Sequence, residues 1–217
     1  MAGALWEGAE ALLTSGASEI FVTGTGITPV EEKWLHLTKE HDLVWMERSL
    51  HHLPAGRGGM TLRPMEQAEG GTFLALYNEC FFDVPNSVTY TRNDLERMAE
   101  ERCMAGFVEC NHIPVGIYEL KPEEDMPEIR SVGLVKTARG NGMGREMMIQ
   151  LMERLHVQGN RRCKLLVSTA NEPAYRLYAS LGFQKKRVES KWYRLRTEEW
   201  LKKKEQIAQR KKTESLG

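Results

Sequence analysis

The sequence predicts an α/β (α+β) fold: a mixed, mostly antiparallel twisted sheet with a central parallel strand pair and flanking helices, preceded by a small helix-strand-helix-strand extension. Three observations predict it. Apolar, β-branched runs alternate along the chain with longer stretches of helical periodicity. Two strand runs, 103–110 and 115–120, are separated only by Asn111-His112-Ile113-Pro114, a hairpin-like turn that makes them antiparallel. The run 127–136 then feeds a glycine-rich loop, a helix and a further strand at 163–170, an order that needs a right-handed helical crossover and therefore one parallel pairing.

Taken in order, the extension reads as a helix over 3–14, a turn at Ser15-Gly16-Ala17, a strand over 19–22, a helix over 31–40 and a strand over 41–50. Thr23-Gly24-Thr25-Gly26 has no arginine beside it and continues into Ile27-Thr28-Pro29, so it is read as a connector. Residues 51–59, with one proline and three glycines, form the linker to a main domain that starts with a strand over 60–64. Helices follow over 70–80 and 91–102, then the hairpin, an acidic surface loop over 121–125, and the long strand. After the crossover helix (145–158) and the parallel strand, Pro173 opens a second helix that Gly182 closes. A terminal hairpin is expected from 183–188 and 190–195, and a charged helical tail from 198–212, docked by a narrow stripe of Trp200, Leu201 and Ile207. The domain division is thus 1–57, 58–196 and 197–217.

Composition removes several function classes. The 217 residues carry 30 Lys plus Arg and 30 Asp plus Glu, so the formal charge is zero and no general attraction to nucleic acid or to an anionic membrane is expected. The lysines of the tail are interleaved with acids. Cys80, Cys103, Cys110 and Cys163 show neither C-x-x-C spacing nor a disulfide framework, and reduced core cysteines suit a cytoplasmic protein. No apolar run approaches a membrane span, and MAGALWEGAEALL lacks the basic region and long apolar core of a signal peptide. The six histidines form no metal-ligand spacing, so no metal is expected.

The chemistry concentrates at Arg139-Gly140-Asn141-Gly142-Met143-Gly144-Arg145. Glycines at alternate positions let the backbone approach a ligand and adopt positive φ. The helix that follows opens with unpaired N–H donors and the positive end of its dipole, a combination that favours a phosphate or pyrophosphate. Arg139 and Arg145 add mobile positive charge. A dinucleotide fingerprint is excluded, because the third glycine comes one residue early and the next strand carries no acid; a P-loop is excluded because no Gly-Lys-Ser/Thr follows.

A second cluster, Asn171-x-x-Ala174-x-x-Leu177-Tyr178-x-x-x-Gly182-Phe183, lies just past the next strand. Together with R-x-x-G-x-G it resembles the GNAT superfamily of acetyl-coenzyme A-dependent N-acetyltransferases, over roughly residues 60–196. The resemblance implies a sheet splayed between the strand before the glycine loop and the parallel strand after the helix, with the pantetheine arm of acetyl-CoA in the gap. Leu134, Val135 and Lys136 would then give main-chain hydrogen bonds to that arm, with the Val135 N–H facing the thioester oxygen. Residues 139–145 would hold the pyrophosphate, Asn171 would meet the cofactor, and Tyr178 would act as general acid beside its sulfur. Glu128 occupies the place of a carboxylate base found in some members; an even separation puts it on the face of Leu134 if the strand is regular. Glu119 on the neighbouring strand is the substitute. Phe81, Phe82, Asp83 and Tyr90 are candidate acceptor contacts. Lys136 stands where a proline is frequent.

The expected activity is transfer of an acetyl group to a primary amine of a small molecule or peptide; the alternative is a non-catalytic acyl-CoA-binding sensor or assembly module. A third reading, nucleic-acid binding by the tail, ranks last. The wording of 11–24 echoes that of 153–169, so residues 1–50 also read as the back half of a degenerate GNAT-like repeat. Its unfinished sheet edge needs cover from the main domain or from a second copy, which makes a homodimer one expected assembly.

Overall fold

The structure, a computed structural model, describes residues 7, 11–12, 14–25, 37–84, 87–124 and 126–214, without the side chains of 203 and 207–214. The chain divides into two compact units, Val44–Arg187 and Met1–Leu43 with Val188–Gly217.

In the Val44–Arg187 unit the strand order is β2 (Thr38–Ser49), β7 (Arg162–Ser168), β6 (Glu128–Leu134), β5 (Ile113–Lys121), β4 (Met104–Cys110) and β3 (Thr61–Pro64). The β3–β4, β4–β5 and β5–β6 pairs are antiparallel and β6–β7 is parallel, the arrangement expected. Helices are α1 (Gly70–Phe81), α2 (Arg92–Glu100), α3 (Met143–Val157) and α4 (Glu172–Ser180). The β4–β5 turn is tighter than expected: Asn111 and His112 both adopt positive φ, 51° and 63°, as a two-residue hairpin loop demands, and Ile113 and Pro114 already belong to β5.

One core cluster forms where α1 and α2 meet β4 and β5, through Phe73, Tyr77, Tyr90, Met98, Phe107 and Ile117. Along α3 a second apolar stripe, Met147, Met148, Leu151, Met152 and Leu155, is buried. The ends are set by local chemistry. At α2 a capping box closes between Thr91 and Asp94, with the Thr91 N–H donating to Asp94 Oδ2 at 2.8 Å. At α4, Asn171 caps and Pro173 sits in the first turn, as the sequence indicates.

In the other unit, β1 (Glu19–Gly24) runs antiparallel to the Lys191–Arg196 part of β8 (Gln184–Arg196). The terminal hairpin is absent: 184–196 is one 13-residue strand, because nothing at Glu189 supplies a turn. Residues 7, 11, 12 and 14 are helical, while most of the predicted 3–14 helix and the 31–36 part of the 31–40 helix lie outside the described residues. Thr38, Lys39 and Glu40, expected at the end of that helix, belong to β2. Trp200 of α5 (Thr197–Glu214) packs with Leu195, Ala17, Ile20 and Leu37, so the tail docks by its aromatic; Ile207 is outside the described side chains.

Candidate active site

The site is built by the divergence of two parallel strands. β6 pairs with β7 only at Glu128↔Lys164, so the two strands part company beyond that point. A bulge helps aim what faces the opening. Leu120 pairs with Ile129 and Glu119 with Ser131, which leaves Arg130 as the extra residue on β6. Past it, the Val135 N–H donates to Val115 O at 2.9 Å, toward β5. Since main-chain groups alternate sides along a strand, the N–H groups of Leu134 and of Val132 face the gap instead, while the Leu134 C=O is taken by Arg139. The donor role placed on Val135 is therefore corrected: its amide is already engaged, and Val132, which the sequence reading passed over, takes the matching position.

The loop after β6 is a single 3₁₀ turn, Lys136–Ala138, followed by Gly140 and Gly142 at φ 85° and 89°. A Cβ built on either would meet nothing within 4 Å, so the glycines are there for the left-handed backbone and for open space in front of it. Met143 N–H donates to Asn141 Oδ1 at 3.3 Å, and the N–H groups of Arg145 and Glu146 turn back to Gly142 O. Among the described residues no acceptor meets the N–H of Gly140, Asn141, Gly142 or Gly144. With α3 starting at Met143, those donors converge on its positive end.

Of the two arginines of the loop, only Arg145 is mobile charge. Arg139 donates from Nε to Leu134 O at 2.9 Å, from Nη2 to Cys80 O at 2.7 Å and from Nη1 to both Asp83 oxygens at 2.8 and 2.9 Å. It is a strut that ties the end of β6 to the end of α1, and it holds the Asp83 carboxyl below its ordinary range; neither group is free for a ligand. Arg145 is exposed and has no ion-pair partner among the described residues. Asn171 uses Oδ1 to cap α4 at Ala174 N–H, 3.3 Å, which leaves its amide nitrogen unengaged among the described residues.

Tyr178 is buried in α4 against Phe183, and burial alone pushes its hydroxyl up to about 12. Glu128 is buried too, and burial raises its carboxyl, opposed by Arg130 at 3.4 Å. The bulge spoils the expected shared face. Arg130 and Ser131 both reach Glu119, and Arg130 reaches Glu128, while a Cβ on Gly144 would lie 4.0 Å from the Leu134 side chain on the α3 face. Glu128 thus belongs to the α1/α2 face, opposite Leu134.

On that α1/α2 face lies a polar network the sequence only half disclosed. Glu119, with no exposed surface, accepts from Tyr90 Oη at 3.0 Å, Ser131 Oγ at 3.1 Å and Arg97 Nη1 at 3.3 Å. Glu101 completes it: burial raises its carboxyl, but Lys121, Arg130 and Arg97 outweigh that and hold it at about 2. With three donors on it the Glu119 carboxylate is occupied as a structural acceptor, which removes Glu119 as the substitute for Glu128. Tyr90 is spent in the same network. Phe81 stacks on Tyr77 at 4.5 Å, whereas Phe82 is 92% exposed at the end of α1 and remains available to an acceptor.

A further contact carries no sequence signal. Glu146 in the first turn of α3 accepts Arg57 N–H at 2.6 Å, Gly58 N–H at 3.0 Å and Gln150 Nε2 at 3.1 Å, so the supposed linker is clasped beside the glycine loop.

This geometry has a family. The model of the acetyltransferase (GNAT) family matches residues 64–183, more than half of the chain. The chain belongs to the GNAT family. Among its relatives, this GNAT chain is 32% identical over 142 residues to the mycothiol acetyltransferase of Thermobispora bispora, covering 60% of this chain and 48% of the relative. It is 30% identical over 157 residues to that of Thermomonospora curvata, covering 68% and 53%. The chain spans about half the length of these curated relatives. Its fold resembles the GCN5-related N-acetyltransferase from Sphaerobacter thermophilus, with a TM-score of 0.67 at 18% identity over 90% of this chain and 65% of that one. A tandem GNAT protein from the clavulanic acid biosynthesis pathway aligns at a TM-score of 0.55 and 11% identity, over 89% and 68%. At these identities the structural likeness speaks for the GNAT fold alone. Among the described residues, no helix is long and apolar enough to cross a membrane.

Proposed function

We propose that this GNAT chain transfers an acetyl group from acetyl-CoA to a primary amine of a small molecule or peptide. The reading rests on one observation: among the described residues, unengaged N–H groups at Gly140, Asn141, Gly142 and Gly144 follow a strand that parts from its parallel neighbour beyond Glu128↔Lys164. The donor set fits a diphosphate with an extended amide-bearing arm. Acetyl-CoA, when bound, supplies the acyl group as a thioester.

The chain's own residues divide the work. The four loop amides and Arg145 would hold the diphosphate, and the main chain of Val132 and Leu134 would hydrogen-bond the arm. Their N–H groups are the available donors for charge developing on the acyl oxygen. Tyr178 would give its proton to the leaving sulfur. An acceptor ammonium has no lone pair and an ordinary pKa near 10.4, so its proton must be removed; Glu128 is the candidate, four residues of strand from Val132, about 13 Å, and would act through intervening water.

Calorimetric titration with acetyl-CoA tests the cradle. Saturable binding is expected, lost in a Gly142→Trp protein that keeps its melting transition. Equal affinity in that variant would remove the cradle. Acetyl-CoA consumption across polyamines, aminoglycosides, amino acids, short peptides and mycothiol, the molecule for which the relatives are named, then identifies the acceptor; binding without turnover on any amine would favour the sensor reading.

A further inference from the structure

A cleft of about 360 Å³ opens where β2 ends, β7 begins and α4 gives way to β8. Its walls carry Arg48, Arg162 and Lys186 against one carboxylate, Glu47. Glu47 is already paired with Arg162. Among the described residues Lys186 Nζ meets only Gln184 Oε1, at 3.2 Å. Arg48 is partly buried, yet among the described residues it donates only to carbonyls, Ser49 O at 3.2 Å and His52 O at 3.4 Å, and no carboxylate pairs with it. Burial lowers its pKa, and Arg145 pushes it the same way.

A guanidinium withdrawn from water without a counter-charge is costly, and an anion in the cleft would relieve that cost. The local sequence keeps the space open. Gly182 takes φ 88°, and even a Cβ there would lie 3.7 Å from Arg48 Nη1. Asn171 caps the other end of α4, whose nine residues span about 14 Å, so the cleft lies away from that part of the cofactor anchor, while Arg145 stands within electrostatic reach of Arg48.

We propose that the cleft is a second anion site, which takes a small phosphate-bearing molecule through the Arg48 guanidinium and the Lys186 ammonium. An arginine fork matches two phosphate oxygens, and the lysine adds a point charge in the same cleft. The volume lies at the small end of ligand pockets and suits a phosphorylated metabolite rather than a polymer.

The test is titration of pyrophosphate into protein saturated with acetyl-CoA, at constant ionic strength made up with chloride. One saturable site is expected, weakened tenfold or more in Arg48→Met and in Lys186→Met, with acetyl-CoA affinity unchanged in both. Because Arg48 is partly buried, its variant counts only if it melts cooperatively; Lys186 is exposed, and its variant decides otherwise. Absence of saturable binding, or full affinity in Lys186→Met, overturns the proposal. So does binding that acetyl-CoA abolishes, which would assign the anion to the glycine loop. If the protein binds no acetyl-CoA at all, the same titration on Gly142→Trp still reads the cleft by itself, so failure of the cradle and failure of the second site remain distinguishable.

Discussion

With its pKa pushed up to about 12 by burial, the Tyr178 hydroxyl keeps its proton through the neutral range and can serve as a donor but not as a base. A Tyr178→Phe protein should therefore bind acetyl-CoA with near-normal affinity and turn over more slowly by roughly 10²-fold, the usual scale for losing one acid catalyst. Single-turnover rates beside calorimetric affinity check this, and an unchanged rate discards the acid role. Glu128 behaves in the other sense. Burial raises its carboxyl from the ordinary 4.5, and a base works only when ionised, so activity should climb as pH rises through that raised value. Replacement by Gln should erase this acid limb of the rate profile. The stability sign is the reverse: a raised folded pKa favours the protonated state, so the stabilising contribution is complete below 4.5 and fades as pH rises through the folded value. Glu128→Gln should then melt no lower than the parent at neutral pH. A lower melting point would show that the buried carboxyl is not strained, and an intact acid limb that it is not the base.

At the level of elements, what the sequence disclosed was whatever is decided within a few residues. Asn171, Pro173 and Gly182 bound α4 by their own backbone chemistry, and the glycine loop sits between β6 and α3 where its spacing put it. Signals that depend on distant partners were not legible. Arg139 looked like a phosphate ligand until its partners Cys80 and Asp83, more than 50 positions earlier, were in view. The β6 bulge is a mismatch with β5, invisible in β6 alone, and it is what moves the available amides to Val132 and Leu134 and turns Glu128 to the other face. Residues 51–59 have the composition of a linker, but Glu146 clasps Arg57 and Gly58 against the first turn of α3. That carboxylate lies beside an anion cradle, where its charge would oppose a diphosphate were it not accepting from the N–H groups of Arg57 and Gly58. Removing the clasp in Glu146→Ala should release the loop and loosen the helix start that the diphosphate needs. The expected result is acetyl-CoA affinity reduced about tenfold, with Gln retaining part of it through its remaining acceptor oxygen. An affinity equal to the parent's in the Ala protein would leave the clasp with no part in cofactor binding.

Across the whole molecule, the family match at 64–183 falls inside the Val44–Arg187 unit, which also holds every residue assigned to the cradle, the gap, Tyr178 and Glu128. The unit of Met1–Leu43 with Val188–Gly217 carries none of them, and the half-repeat and the homodimer stay proposals. That partition makes a calorimetric prediction. A ligand that binds only the folded state adds RT ln(1 + [L]/Kd), about 2.7 kcal/mol at a hundredfold excess over Kd. For a protein of this size that corresponds to a rise of roughly 5–11 °C in melting temperature. If the two units unfold separately, only the transition of Val44–Arg187 should move; if they unfold together, the single transition should move by the smaller end of that range, since more residues share its entropy. Scanning calorimetry with and without acetyl-CoA distinguishes these cases. A shift confined to the unit without the cradle, or no shift at saturation, would mean that the open amides between Gly140 and Gly144 do not serve acetyl-CoA.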